Sequence, residues 1–455
     1  MTPRPLRALL ALLTLLAALF TAWPAYRATL RVEIDVNEAW NAYFADAAMG
    51  DRALYPTPDE LITNNYPPLS YYAVGAVGAV GRLAFGGDSV FAGRLLSLIA
   101  VFATGLLVAL GVRQLGGSGF AAAVGGVWYV ATMARFFTEY VGMNDPHLLA
   151  QAAMLAGFLA FARAVRRDRG YGVAVLAMVA TGFLKHNVVA MPVAAYLWLA
   201  VERPRRLPLC VAVGGGAAAG GLLLCAAAYG PDFAANLFAP RVLSWRYSVG
   251  AVGHLQWVAV GLVAVVCVAL ARPRDPAVRR VAILAAVALA SFFGQKLGAG
   301  VANSAQFELV VAAALGVGLA YEHAASMALA RRVPPDRLRV ALLVALTVRL
   351  LASGRTEPAR LWLDPSFGVE IAVREAAMAD GVARVRATPG EVSAPALVCY
   401  WAGKPFVHDH FNARQGMLTG RLPPDALRRR FESGQWTEVE TDPLLAWTEK
   451  YPRPR

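Results

Sequence analysis

Long apolar runs separated by short arginine clusters dominate the chain. The runs cover residues 8–26, 88–112, 119–137, 146–165, 207–229, 254–271, 278–294, 304–323 and 337–352, each close to the roughly 20 residues that cross a bilayer core. The run from 171 to 200 differs, because both flanks are basic: Arg163, Arg166, Arg167 and Arg169 before it, Arg203, Arg205 and Arg206 after it. Cytoplasmic loops keep such arginines, so this run must cross and return. Two legs of about 14 residues are short for a bilayer and leave Lys185, His186 and Asn187 at an external hinge sunk below the surface. Placing Arg272, Arg274, Arg279 and Arg280, then Arg331, Arg332, Arg337 and Arg339, on the same side gives about eleven spans and a cytoplasmic amino terminus. The insert at 27–87, the loops near 138–146, 230–253 and 295–303, and the tail from about 353 are then external. Tyr71 to Phe85 is apolar but glycine-spaced and reads as an interfacial or partly embedded helix. Counting it as a span would put most arginine clusters outside.

Composition agrees with this reading. A 455-residue chain with 58% hydrophobic and 16% charged residues is too apolar for a soluble enzyme. The net charge of +13 does not call for nucleic acid, since the arginines sit between apolar runs where topology requires them. Basic residues are almost all arginine, and alanine and glycine abound, as in a GC-rich bacterial genome. Cys210, Cys225 and Cys267 fall inside apolar runs and Cys399 stands alone, so no disulfide framework or metal spacing is visible. Arg4 and Arg7 before Ala8 to Trp23 match a signal peptide. An uncleaved first helix is expected instead, because the sequence continues straight into the polar insert that later helices would enclose. The tail is polar and proline-punctuated, with a strand expected at Ala396 to Trp401 before a turn at Gly403 to Pro405. The expected architecture is mainly α: residues 1–353 form a polytopic membrane helical bundle with external juxtamembrane helices, and 354–455 a small extramembrane α/β domain.

Every external loop carries polar groups that membrane packing does not require. Asp35 and Glu38, three residues apart, share one side of a helix starting near Asp35; the same spacing fits an N-cap Asp with a capping Glu equally well. Asp145 precedes Pro146 and serves as a helix cap without losing the capacity for chemistry. Lys185 and His186 sit at the broken hairpin. Arg241, Arg246, His254, Lys296 and Asn303 lie in the later external loops, and Glu308 stands a turn into an apolar segment, where an acid needs a protein-lined or watered site. His408-Asp409-His410 resembles a metal cluster on paper, but adjacent loop residues do not close a site without further ligands, so no metal is assigned.

Taken together, the external Asp-x-x-Glu insert, Leu-Tyr-Pro (Leu54 to Pro56), Asn-Tyr-Pro-Pro-Leu (Asn65 to Leu69), Asp145 and the hinge Lys185 resemble the C-type fold (GT-C) of polytopic glycosyltransferases. These are relatives of protein O-mannosyltransferases and aminoarabinose transferases. Gly298 to Glu308 is similar to the Gly, Asn and Glu stretch that opens a late helix in bacterial members, and Trp401 to Pro405 to a segment of their tails. Asn37-Glu38 stands where many members have Asp-Glu, so Asp35 and Glu38 both remain open as the catalytic acid.

The resemblance implies an enzyme of the bacterial plasma membrane that moves a sugar from a polyprenyl-phosphate donor to an acceptor outside the cytoplasm. In an inverting transfer a carboxylate takes the acceptor proton. Asp35 is the expected base, with Glu38 or Asp145 orienting the acceptor or substituting. Cations near the departing phosphate stabilise its growing charge; Lys185 and Arg246 come first, then Arg241, Lys296 and His254. Asn65, Tyr66, His186, Asn303 and Glu308 complete the expected substrate-binding set. No cofactor is required, although two external acids leave room for a divalent cation. A transporter or flippase of a lipid-linked saccharide is the alternative; it would place ionisable groups along a path in mid-helix, whereas these acids lie in loops or at helix ends.

Overall fold

The computed structural model describes residues 3–50, 52–327, 332–352 and 357–439. Arg331 of the basic clusters and the tail beyond 439 lie outside the described residues. α1 (Arg4–Arg27) is followed by the polar insert, which folds into α2 (Asn37–Ala48) and α3 (Leu69–Phe85). α4 (Ser89–Gln114), α5 (Gly119–Phe136) and α6 (His147–Arg167) come next. Asp88 and Ser118 cap α4 and α5 with their side chains, satisfying backbone N–H groups that would otherwise face the bilayer boundary. Small residues let α4 and α5 touch: a Cβ on Gly126 would come within 2.6 Å of the Gly105 carbonyl oxygen.

The doubly basic run is a broken hairpin of α7 (Tyr171–Gly182) and α8 (Ala190–Glu202), joined through residues 183–189. α9 (Leu207–Tyr229) leads to α10 (Pro231–Leu237) and α11 (Trp245–Gly250). The span expected from residue 254 begins instead at Ala259, as α12 (Ala259–Ala271), after an 82° bend out of the preceding Trp245–Trp257 stretch. His254 stacks flat on Trp257 within a 3-10 turn, so the chain bends where hydropathy alone continues. α13 (Pro276–Gln295), α14 (Phe307–Glu322) and α15 (Pro335–Leu351) complete the apolar part. Every residue of α14 from Phe307 to Tyr321 is buried, so this helix, apolar on all sides apart from Glu308 in its first turn, is the axis around which α5, α12 and α13 pack. Among the described residues six helices are long and apolar enough to cross a membrane, or seven if the bent pair counts as one span.

The carboxy-terminal part contains α16 (Glu357–Leu363), α17 (Phe367–Ala387), α18 (Ala396–Ala402), α19 (His410–Leu418) and α20 (Ala426–Glu432). A parallel pair of short strands joins β1 (Glu391–Ser393) to β2 (Trp436–Glu438). The strand expected at Ala396 to Trp401 is therefore wrong; the segment is α18. A six-residue apolar run does not reveal its period when every side is occupied. Here Leu397 packs on Ala39, Ala42 and Val90, Val398 and Cys399 on the α17 side, and Tyr400 and Trp401 donate to Asp46 and Asp88. Gly403 closes the helix in the left-handed region at φ 74°. Those contacts seat the carboxy-terminal part on the external insert.

Candidate active site

The site starts from a buried ion pair. Glu38, on the first turn of α2, is fully buried, and its carboxylate accepts from Arg94 Nε (2.8 Å) and Nη2 (2.7 Å), from the Ile34 N–H and from the Asn144 N–H. Arg94 also donates to the carbonyls of Leu30 and Val32. One arginine on α4 thus fixes the path of residues 30–38, and one carboxylate ties that path to the 138–146 loop. The capping reading is modified accordingly: Glu38 reaches back to Ile34 rather than to Asp35. Four donors engage the Glu38 oxygens in this geometry, and of the two acids Asp35 is the less buried. Asp35 is half-buried, with Oδ1 accepting from the Asn37 N–H at 3.0 Å.

Asn144 carries the second acid into place. It donates to the Glu38 carbonyl and accepts from Asn41, packed where a Cβ on Gly93 of α4 would overlap it. The neighbouring Asp145 accepts from the His147 N–H at 2.7 Å, which starts α6, and pairs with Lys185 Nζ at 3.1 Å and 3.3 Å. Asp145 and Lys185 are both buried. The Lys185 ammonium also lies 4.2 Å from the centre of the Tyr66 ring, and the His186 ring lies 6.3 Å from the same centre at a tilt. Tyr66 is held by the motif around it: Asn64 bonds Leu54 O, Tyr71 Oη and the Tyr66 N–H, while Tyr55 Oη donates to Tyr66 O. The Leu69 N–H donates to Phe183 O, locking the start of α3 to the hinge. The structure thus brings Asp145, Lys185, Tyr66 and His186 together.

Other expected residues have different surroundings. Glu308 accepts from the N–H groups of Ala190 (2.9 Å) and Met191 (2.7 Å); it caps α8 at the far end of the hinge, where helix dipole and carboxylate attract. The cap ties α14 to the end of the hinge that carries Lys185. Lys296 donates to Val301 O at 2.7 Å and closes the 296–302 loop. Arg241 sits over the Phe411 ring and within electrostatic range of both His186 and Asp409. Arg246 is exposed beside Trp245. His254 stacks on Trp257, and a chain of ring contacts runs on from Trp257 to Phe137 to Phe307. Asn65 is half-buried next to Tyr66, and Asn303 opens the 3-10 turn before α14. His408 Nε2 lies 2.9 Å from His410 Nε2, and among the described residues no three histidine, cysteine or acidic side chains gather to hold a metal ion.

Four residues escaped the sequence reading. Arg94 was visible as an arginine inside an apolar run, an expensive placement that signals a partner. Glu33 is buried, and burial together with the charges of Asp35 and Glu38 pushes its carboxyl up to about 8 despite Arg94. Tyr140 bonds Ser304, and burial, with the charges of Glu139, Asp35 and Asp145, pushes its hydroxyl well above the usual range, leaving a neutral donor between the acids. His147 packs against Phe307. No hydropathy pattern marks the last three.

The helical bundle, with its broken hairpin and the folded insert after α1, has a known architecture: the fold is that of the GT-C membrane glycosyltransferases. The chain is similar to the structure of ArnT from Cupriavidus metallidurans, with 13% identity over 90% of this chain and 88% of that one and a TM-score of 0.57. The ArnT structure bound to undecaprenyl phosphate matches over 92% and 91% of the two chains at 13% identity and a TM-score of 0.56. The archaeal oligosaccharyltransferase AglB from Archaeoglobus fulgidus, in complex with an inhibitory peptide and a dolichol-phosphate, matches over 90% of this chain and 65% of that one, with 13% identity and a TM-score of 0.57. No family model and no curated protein matches the sequence. At such identities the likeness carries the fold.

Proposed function

We propose that the protein is a membrane glycosyltransferase that moves a sugar from a polyprenyl-phosphate donor to an acceptor outside the cytoplasm. The observation that carries this reading is the buried Asp145–Lys185 pair against Tyr66, with the half-buried Asp35 on the segment that Glu38 and Asn144 tie to the same loop, on a fold shared with proteins solved with undecaprenyl phosphate and dolichol-phosphate. The acceptor hydroxyl gives its proton to Asp35 as its oxygen bonds the anomeric carbon from the face opposite the phosphate. The bond from that carbon to the phosphate oxygen breaks, and its electron pair leaves on polyprenyl phosphate. Growing negative charge there is met by Lys185 and Arg241, in a water-poor setting where fixed cations act strongly. Lys185 is held by Asp145 and Arg241 lies near Asp409, so both cations are fixed in place for that charge. An AglB structure was solved with Zn and sulfate, but the donor set here does not form a metal site among the described residues, and no step uses an ion. Residues 1–353 would form the catalytic unit and 354–455 a periplasmic domain, in the inner membrane of a bacterium.

The test is lipid mass spectrometry of polyprenyl-phosphate sugars in cells lacking the protein, and in the same cells carrying wild type or Asp35→Asn. Accumulation of one sugar lipid, cleared by wild type alone, supports transfer through Asp35. Clearance by Asp35→Asn as well points to a flippase, and no change in any sugar lipid overturns both.

A further inference from the structure

The segment from Phe238 to Val252 carries a surface that neither the fold nor the proposed reaction uses. Its inner side is tied down: the Ser244 N–H donates to Leu297 O, the Ala299 N–H to Val242 O, and Ser248 Oγ to Phe293 O. Its outer side is apolar and open, with Phe238 71%, Leu243 72%, Trp245 66%, Val249 58% and Val252 53% exposed. Such a concentration of large apolar side chains is far beyond the scattered ones a water-facing loop displays. Arg246 stands among them, its guanidinium 6.0 Å from the Trp245 ring.

From this we infer that residues 238–252 lie in the plane of the outer leaflet, with Trp245 and Val249 in the acyl boundary and Arg246 against lipid phosphates. Three observations name a lipid surface as the occupant. First, the 82° bend between Trp245–Trp257 and α12 turns α11 nearly perpendicular to a helix whose outward residues Val263, Val266 and Leu270 are themselves open and apolar. If α12 crosses the bilayer, α11 lies along its surface. Second, large open apolar side chains recur along one stretch of chain, from Phe238 to Val252 and again from Val263 to Leu270. Third, a tryptophan beside an arginine is the pairing that settles at headgroup level, ring in the boundary and charge on phosphate. The hydrogen bonds to residues 293–299 fix which face points outward, so the anchor is rigid rather than a loose loop. The inference stands apart from the transferase reading.

The experiment places a small fluorescent amino acid at position 245, 248 or 249 of the full-length protein, reconstituted in vesicles of phosphatidylethanolamine and phosphatidylglycerol. Quenching by doxyl-labelled lipid and by aqueous iodide is then compared. The expected result is lipid quenching at 245 and 249 about threefold stronger than at 248, with weak iodide quenching, as for groups roughly 5–10 Å into the boundary. Strong iodide quenching at 245 and 249 would show a water-facing loop, and protection from both quenchers would show a protein partner on this face; either overturns the inference. A second variant guards against a probe artefact: Trp245→Glu should markedly reduce lipid quenching at 249, and unchanged quenching there also counts against the anchor.

Discussion

Lys185 Nζ lies 3.1 Å from Asp145 Oδ1, and this buried contact joins the hinge of the broken hairpin to the loop that opens α6. Neither residue has another charge at the same distance among the described ion pairs, so each compensates the other. The pair fixes the floor of the site from two elements that are distant in sequence.

Asp145→Asn leaves an uncompensated ammonium under Tyr66. We expect a loss of about 3–5 kcal/mol, the usual consequence of removing one partner from a buried pair. Thermal unfolding in detergent reads this, and Asp145→Asn combined with Lys185→Met should be less destabilised than the two single effects added. Simple additivity would show that the pair does not couple.

Asp35→Asn keeps shape and half-burial while removing the proton acceptor. Transfer should fall by about 10²–10⁴-fold, the typical contribution of a positioned general base, with the melting temperature unchanged. Full activity in a reconstituted transfer assay sinks the assignment of Asp35.

Arg94→Met removes the donor that holds Glu38, Leu30 and Val32. The expected cost is again about 3–5 kcal/mol, and Gly93→Ala, which displaces Asn144, should depress transfer without touching any acid. If Gly93→Ala retains wild-type transfer, Asn144 does not set the position of Asp145.

Glu308→Gln weakens the cap of α8 by about 0.5–2 kcal/mol. Because that cap steadies the hinge bearing Lys185, the KM for the lipid donor should rise more than the KM for the acceptor. An equal rise in both would mean that the cap supports the cavity as a whole.

Glu33 makes stability depend on pH. Its carboxyl, raised from the usual 4.5 to about 8 by burial, is protonated in the native state and ionised when unfolded at neutral pH. Its contribution is therefore fully present below about pH 4.5 and is lost as pH rises towards 8, on the order of a few kcal/mol. The melting temperature should fall between pH 5 and pH 8, and Glu33→Gln should flatten that slope. The same slope in both proteins would assign it to other groups.

Local rules made much of this molecule readable before folding was considered. Hydropathy and arginine bias act residue by residue, so the apolar helices, the broken hairpin with Lys185 at its turn and the clustering of acids in loops were legible in the chain. Partnership was not. In the sequence Glu38 reads as half of an acid pair, and only the fold brings Arg94, 56 positions away, onto its carboxylate; Glu308 reads as an acid in an apolar segment, and only the fold brings the N–H groups that open α8, 118 positions away, to it. Residues 396–401 looked like a strand because an apolar run has no period of its own once all its sides are covered. Sequence by itself determined which segments are apolar enough to favour a membrane, since transfer from water is a property of each segment. Tertiary structure alone decided which charges meet, since a buried charge is stable only beside a partner that the rest of the fold delivers.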